Sequence, residues 1–261
     1  MHIQPIFDQL AQLRLIGMRS ALEQQLAQPR YSDLSFEERL GLLLDVELTR
    51  RANNRLARLI RAAKFPITAS LSDLDLTTQR GLDPAQIRHL AQADWVSRHL
   101  NTIILGATGA GKTFLGCVLG RAACEANYSV RYWRTSRLLQ ALHLAHADGS
   151  YPKLLRSLAK TQLLILDDWL RDPLSRPQAR DLLEILDDRY GRAATCLISQ
   201  VPTTDWHSRI PDPTLADALL DRILHSAYRL NLTGESRRKL HSPRAIAFSK
   251  KKGMVGREGM E

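Results

Sequence analysis

Residues 106–113 read Gly-Ala-Thr-Gly-Ala-Gly-Lys-Thr, a complete G-x-x-x-x-G-K-[ST] loop. Such a loop has meaning only between a strand and a helix, so it constrains the architecture more than any other stretch. The apolar run Thr102-Ile103-Ile104-Leu105 precedes it, and a helical pattern begins at Phe114. Gly106, Gly109 and Gly111, with Ala107, Thr108 and Ala110 between them, allow the backbone to curl so that successive amides face phosphate oxygens. The helix N-terminus behind them adds a positive dipole end. Lys112 is placed to reach the β- and γ-phosphates of ATP, and the Thr113 hydroxyl to ligate Mg²⁺.

Alone, this pattern could still be a glycine-rich turn before an ordinary helix. A second motif argues against that. Residues 163–168, Leu-Leu-Ile-Leu-Asp-Asp, form an apolar strand ending in two carboxylates. So apolar a strand is buried on both faces, as in a parallel sheet, and its C-terminal edge is where open α/β sheets bind ligands. Asp167 is placed to hold Mg²⁺ through its water shell, and Asp168 to orient an attacking water.

The 261-residue length suits one large domain or a core with an appendage. At 44% hydrophobic and 25% charged, the composition is that of a soluble globular chain. No stretch approaches the ~18–20 apolar residues of a membrane span, so no membrane partner is expected. The N-terminus lacks the basic segment and long apolar core of a secretory leader. Three cysteines with no C-x-x-C pair point to a reducing cytoplasm, and Cys117 and Cys124, seven apart, are expected on one packed helical side. Net charge is +10, and from Arg229 to Glu261 nine Lys/Arg oppose three Glu, a local +6. Such an end is either a solvated extension or an arm for polyanions. Beside a nucleotide-binding core, nucleic acid becomes the expected partner.

Residues 1–66 read as an all-helical domain. Phe7, Leu10, Leu13 and then Met18, Leu22, Leu26 recur at helical spacing, punctuated by Gly17 and Pro29. A longer helix is predicted from Ser35 to Lys64, with Ser35 and Glu38 as a capping box. Its first half carries Leu40, Leu44 and Leu48; Arg51, Arg55 and Arg58 continue nearly the same face, flanked by Arg50, Arg61 and Lys64. That stripe is either charge shown to water or a surface for DNA phosphates. No base-reading motif is visible, so any DNA contact here goes to the backbone and depends little on sequence. Residues 67–98 read as a linker with short helices, one opened by Asp83-Pro84. From 99 to 242 strands (102–105, 129–133, 162–167, 194–199) alternate with helices (112–126, 136–147, 176–190). The alternation predicts an α/β domain, a parallel sheet sandwiched by helices. Residues 243–261 form a basic tail expected to be disordered.

Together these pieces resemble the IstB-like ATP-binding proteins, helper ATPases of insertion-sequence transposition related to the DnaC helicase loaders within AAA+. The resemblance runs from about Leu10 to Ser242. It rests on Phe65-Pro66 with Asp73-Leu74-Asp75, the loop 106–113, Leu164 to Trp169, Ile198-Ser199-Gln200 with Trp206-His207, Asp221-Arg222, and Gly234-Glu235-Ser236-Arg237-Arg238. It implies an AAA+ P-loop NTPase core with an N-terminal all-helical domain. It further implies that Ser199 and Gln200 take a sensor position between γ-phosphate and water. Arg222 resembles the arginine finger that reaches a neighbouring subunit's nucleotide; a surface ion pair with Asp221 is the competing reading. Arg238 matches an arginine that contacts phosphate or DNA, with Arg237 and Lys239 beside it. The chain departs from the family at Leu170, where glycine is usual, and at Arg237, where methionine is common. Only 39 residues follow Arg222, too few for a full AAA+ lid plus the tail, and Asp168 is shorter than the glutamate of many AAA+ enzymes.

The expected function is therefore a Mg²⁺-dependent ATPase that oligomerises on double-stranded DNA, shares its active sites between subunits and assists a transposase. A DnaC-like helicase loader and a nucleotide-switched adaptor with little turnover are the alternatives. His143, His146 and Asp148 lack a fixed third metal ligand, and Trp95, Trp133 and Trp206 read as packing residues rather than base-stackers.

Overall fold

The computed structural model describes residues 3–74, 81–225 and 227–233, and the chain divides into two compact units, Met1–Arg58 and Leu59–Glu261. The first unit holds α1 (Gln4–Gln12), α2 (Ile16–Ala27), a 3₁₀ turn at Pro29–Tyr31 and most of α3 (Phe36–Ala63). The expected capping box is present. Ser35 Oγ accepts from the Glu38 amide at 3.2 Å, and Glu38 Oε2 accepts from the Ser35 amide at 2.8 Å.

The seam expected at Leu40, Leu44 and Leu48 is not the packed face: Leu44 is 46% and Leu48 65% exposed. One position away, Leu43 and Glu47 are buried instead. Glu47 accepts from the amides of Gly17 (2.6 Å) and Met18 (3.4 Å), where α2 begins, and from Arg50 and Arg51 at 2.7 Å each. A carboxylate here satisfies amides that the first turn of α2 leaves without partners and meets its positive dipole end. The inward position therefore goes to a polar residue that apolar periodicity cannot flag. The approach requires Gly17, because a Cβ there would lie 2.8 Å from Glu47 Oε2 and 3.0 Å from its Cα.

The second unit begins with the last turns of α3 and continues through α4 (Pro84–Ala91) and α5 (Asp94–Ser97) to a five-stranded, all-parallel sheet. Its strands are β1 (Asn101–Gly106), β2 (Val130–Arg134), β3 (Leu163–Asp167), β4 (Ala194–Ser199) and β5 (Ala227–Leu232), in the order β2-β3-β4-β1-β5. Between them run α6 (Lys112–Glu125), α7 (Thr135–Asp148), α8 (Tyr151–Ala159), α9 (Arg176–Arg189) and α10 (Pro213–Leu224). Every residue of β3 and β4 is buried, as parallel strands covered on both faces must be. The alternating α/β architecture is as expected, with β5, α8 and α10 added to it. Asp83 caps α4 as the sequence proposes, accepting from the Ala85 amide, and the structure adds a capping box of Ser175 and Gln178 at the start of α9.

Trp95 and Trp206 are packing residues. Both are buried, and their indoles donate to the carbonyls of Leu90 and Val201. Cys117, Cys124 and Cys196 are buried thiols. Among the described residues no helix is long and apolar enough to cross a membrane.

The Arg50 guanidinium, helped by Arg51 and the Gly17 amide, holds the Glu47 carboxyl down to about 2 from an ordinary 4.5. A group depressed in the folded state stabilises above its unfolded value and stops doing so as pH falls through its folded value. Glu47→Ala should therefore destabilise the N-terminal helices at neutral pH by about 1–3 kcal/mol. It should also flatten the pH dependence between about 4.5 and 2; acid titration of far-UV circular dichroism checks both.

Candidate functional site

The loop 106–111 leaves β1 with φ values of +153° at Gly106, +85° at Gly109 and +99° at Gly111, before α6 begins at Lys112. A side chain is impossible at Gly106, whose Cβ would sit 2.5 Å from the Leu232 carbonyl oxygen on β5. Lys112 Nζ donates to the Ala107 carbonyl at 2.9 Å, folded over the mouth of the loop. Thr108 Oγ1 donates to Gln200 Oε1 at 2.5 Å.

Asp167 joins the two motifs. Its Oδ2 accepts from Thr113 Oγ1 at 2.7 Å and from the Tyr132 hydroxyl at 2.6 Å, and its Oδ1 accepts from the Asp168 amide at 2.8 Å. The Asp167 carbonyl accepts from Thr135 Oγ1, which opens α7, at 2.9 Å. Burial, together with the adjacent carboxylate, raises the Tyr132 pKa far above its ordinary value, so the phenol stays protonated and donates. Thr113 and Asp167 offer hard oxygen donors side by side, the donor set that fits Mg²⁺. Tyr132 has no motif to announce it. Its only sequence signal is an aromatic residue in the strand that pairs with the Asp-Asp strand.

Asp168 points the other way. Its backbone is left-handed (φ +56°), its side chain is 37% exposed, and Arg171 Nη1 stands 3.6 Å from its Oδ2. A cavity of about 550 Å³ opens beside it, lined also by Thr135, His143 and Leu170. Leu170 keeps a left-handed backbone (φ +49°) while its side chain is 1% exposed.

The two expected sensor residues part company. Gln200 is exposed and meets the phosphate loop through Thr108. Ser199 is buried, donating to the Trp169 carbonyl at 2.7 Å and accepting from the Val201 amide at 3.0 Å. Its hydroxyl is spent on the fold, so the sensor role expected for it does not suit this geometry.

Arg222 lies near the opposite edge of the sheet. Asn101, the first residue of β1, donates to the Arg222 carbonyl at 3.0 Å, whereas the phosphate loop leaves the last. The strand between them spans roughly 17 Å at about 3.3 Å per residue. The guanidinium pairs with Asp187 (2.8 Å) and Asp221 (2.9 Å) and lies over the Tyr190 ring. The ion pair with Asp221 is therefore present, and Arg222 is out of reach of its own loop. On α3, Arg51, Arg55 and Arg58 are exposed; Arg51 is paired to Glu47, while Arg55 and Arg58 meet no carboxylate among the described residues. Arg237, Arg238, Lys239 and the rest of residues 234–261 lie outside the described residues. His146 pairs with Asp181 at 2.9 Å, Asp148 accepts from the Ser150 amide, and no metal-binding cluster occurs among the described residues.

Residues 8–245 match the model of the IstB-like ATP binding protein family. The chain is 45% identical over 235 residues to an insertion sequence ATP-binding protein of Sinorhizobium fredii, covering 90% of this chain and 96% of that one. It is 48% identical over 205 residues to the ATP-binding protein of insertion sequence IS1162 from Pseudomonas fluorescens, covering 78% and 89%. Among solved structures, that of DnaI superposes with a TM-score of 0.55 at 21% identity, over 68% of this chain and 94% of that one. This last likeness concerns the fold alone.

Two substitutions test the local physics. Tyr132→Phe removes one of the donors to a charged acceptor, so chemical unfolding should register a loss of about 1–3 kcal/mol. The Mg²⁺ needed for half-maximal binding of a fluorescent nucleotide should rise several-fold. Leu170→Gly relieves about 1–2 kcal/mol of left-handed strain but removes a buried leucine worth about 2–5 kcal/mol. Urea unfolding should therefore show net destabilisation.

Proposed function

Because the chain belongs to the family of IstB-like ATP binding proteins, we propose that it is a Mg²⁺-dependent AAA+ ATPase serving an insertion sequence. With ATP bound it oligomerises on duplex DNA and assists the transposase, and hydrolysis at subunit interfaces resets the assembly. The observation that carries this reading is the Thr113–Asp167 hydrogen bond at the phosphate-loop end of the sheet, with Arg222 beside the other end of β1.

The loop amides and Lys112 bind the triphosphate, and Lys112 exchanges the Ala107 carbonyl for phosphate oxygens. Thr113 and Asp167 would hold Mg²⁺, which would supply neutralisation of phosphate charge. Asp168, directed outward, orients the water that attacks the γ-phosphorus and draws its proton as the bond to the β-phosphate oxygen breaks. Gln200, beside Thr108, reads the γ-phosphate. Arg222 can serve only a nucleotide carried by another copy, because its own loop is too far away. A guanidinium arriving from a neighbour stabilises the charge that spreads over the γ-phosphoryl oxygens, and so ties turnover to assembly. The net charge of +10 and the exposed Arg55 and Arg58 support contact with the DNA backbone.

In sedimentation with ATP, Mg²⁺ and duplex DNA, wild-type protein should form large complexes and Lys112→Ala none. Arg222→Ala should keep its nucleotide affinity, lose hydrolysis by ~10³-fold, and regain part of it when mixed with Asp168→Asn. Wild-type protein that stays monomeric and indifferent to DNA at saturating ATP overturns the proposal.

A further inference from the structure

At the end of the sheet away from the phosphate loop lies a cavity of about 250 Å³, beneath the turn from α9 to β4 and the segment from α5 to β1. Arg98, His99, Arg189, Tyr190, Thr195 and Arg222 stand on its wall, and no carboxylate lines it among the described residues. Arg222 is balanced by Asp187 and Asp221. Arg98 and Arg189 meet no carboxylate among the described residues.

Arg189 is the unusual member of the group, 1% exposed at the C-terminus of α9. Its Nε donates to Thr195 Oγ1 at 3.1 Å, its Nη1 to the carbonyls of Leu158 (2.6 Å) and Thr161 (2.7 Å), and its Nη2 to the carbonyl of Ala194. These acceptors are all neutral. They occupy four of the five N–H groups of a guanidinium and leave its charge buried without a counter-charge. Desolvation alone pulls its pKa down to about 9. A buried lone cation is costly, and an anion seated against it offsets that cost.

We propose that this cavity binds a phosphate oxyanion, gripped by Arg98 and His99 and favoured by the field of Arg189 behind them. Its volume falls below the ~300–1,000 Å³ of sites for drug-sized ligands, so it takes a phosphate group and not a whole nucleotide. A recessed pocket also suits a terminal phosphoryl group better than the evenly spaced diesters of a duplex. The phosphate comes either from solution or, on the reading of Arg222 given above, from the nucleotide of a second copy of this chain.

The test uses the full chain carrying Lys112→Ala, which silences the phosphate loop. Titration calorimetry with inorganic phosphate at constant ionic strength, with chloride as control, should show saturable binding at one site per chain. Adding Arg98→Ala and His99→Ala, both exposed positions, should weaken it at least tenfold without altering the circular dichroism. No saturable binding, or binding indifferent to those two changes, overturns the proposal. In wild-type protein saturated with a non-hydrolysable ATP analogue and Mg²⁺, loss of phosphate binding at the cavity identifies a neighbour's nucleotide as the occupant. Persistence identifies free phosphate. If the chain fails to assemble at all, the first titration still decides the cavity on its own.

Discussion

One carboxylate sets the geometry of the nucleotide edge. Asp167 at the end of β3 takes hydrogen bonds from Thr113 beyond β1, from Tyr132 on β2 and from the amide of Asp168, while Thr135 at the head of α7 fixes its carbonyl. The two motif strands are not neighbours, because β4 runs between them. Their side chains meet across it only while the sheet holds its register, with Leu105 opposite Ser199 and Leu166 opposite Leu197. A slip of one residue would turn Asp167 to the other face. The same arrangement puts Gln200, just beyond β4, against the loop, and leaves Ser199 locked beneath it.

The turn that follows shows how burial holds an unfavourable backbone in place. Asp168 and Leu170 are both left-handed without being glycine. Between and beside them, Trp169 and Leu170 are fully packed, Trp169 edge-on to Trp206 at 6.2 Å. Each such side chain contributes about 1.5–3 kcal/mol, enough to outweigh the strain of one left-handed residue. The result is useful: two apolar side chains go inward and the carboxylate between strand and turn is directed outward, where water and substrate are.

Besides Asp167, two charged side chains are buried among the described residues, Glu47 and Arg189, and they are handled differently. Glu47 is surrounded by two guanidinium groups and the first amides of α2, and stays ionised. It is a local fastening that needs nothing from outside. Arg189 has only neutral acceptors, so it fastens the turn before β4 to the end of α8 while keeping an unbalanced charge beside an open cavity. Both helices that carry these charges look unexceptional by composition.

What could be read from the chain directly was local. The loop 106–113, the apolar strand ending in Asp167 and Asp168, and the Ser35–Glu38 cap lie within a few residues of their partners, and the chemistry follows from spacing. Pro152 and the pair Asp212-Pro213 carry start signals for α8 and α10 that alternation alone passes over, and β5 is a partly exposed edge strand whose mixed composition hides it. The face of α3 that packs was decided by tertiary structure, because a carboxylate, not a leucine, meets the amides of α2 there. So were the contacts of Tyr132 with Asp167, Thr108 with Gln200 and Asn101 with Arg222, which lie 35, 92 and 121 residues apart. Periodicity records which side of an element is apolar. Which polar groups then meet depends on strand order and register, and those arise only when the whole sheet closes at once.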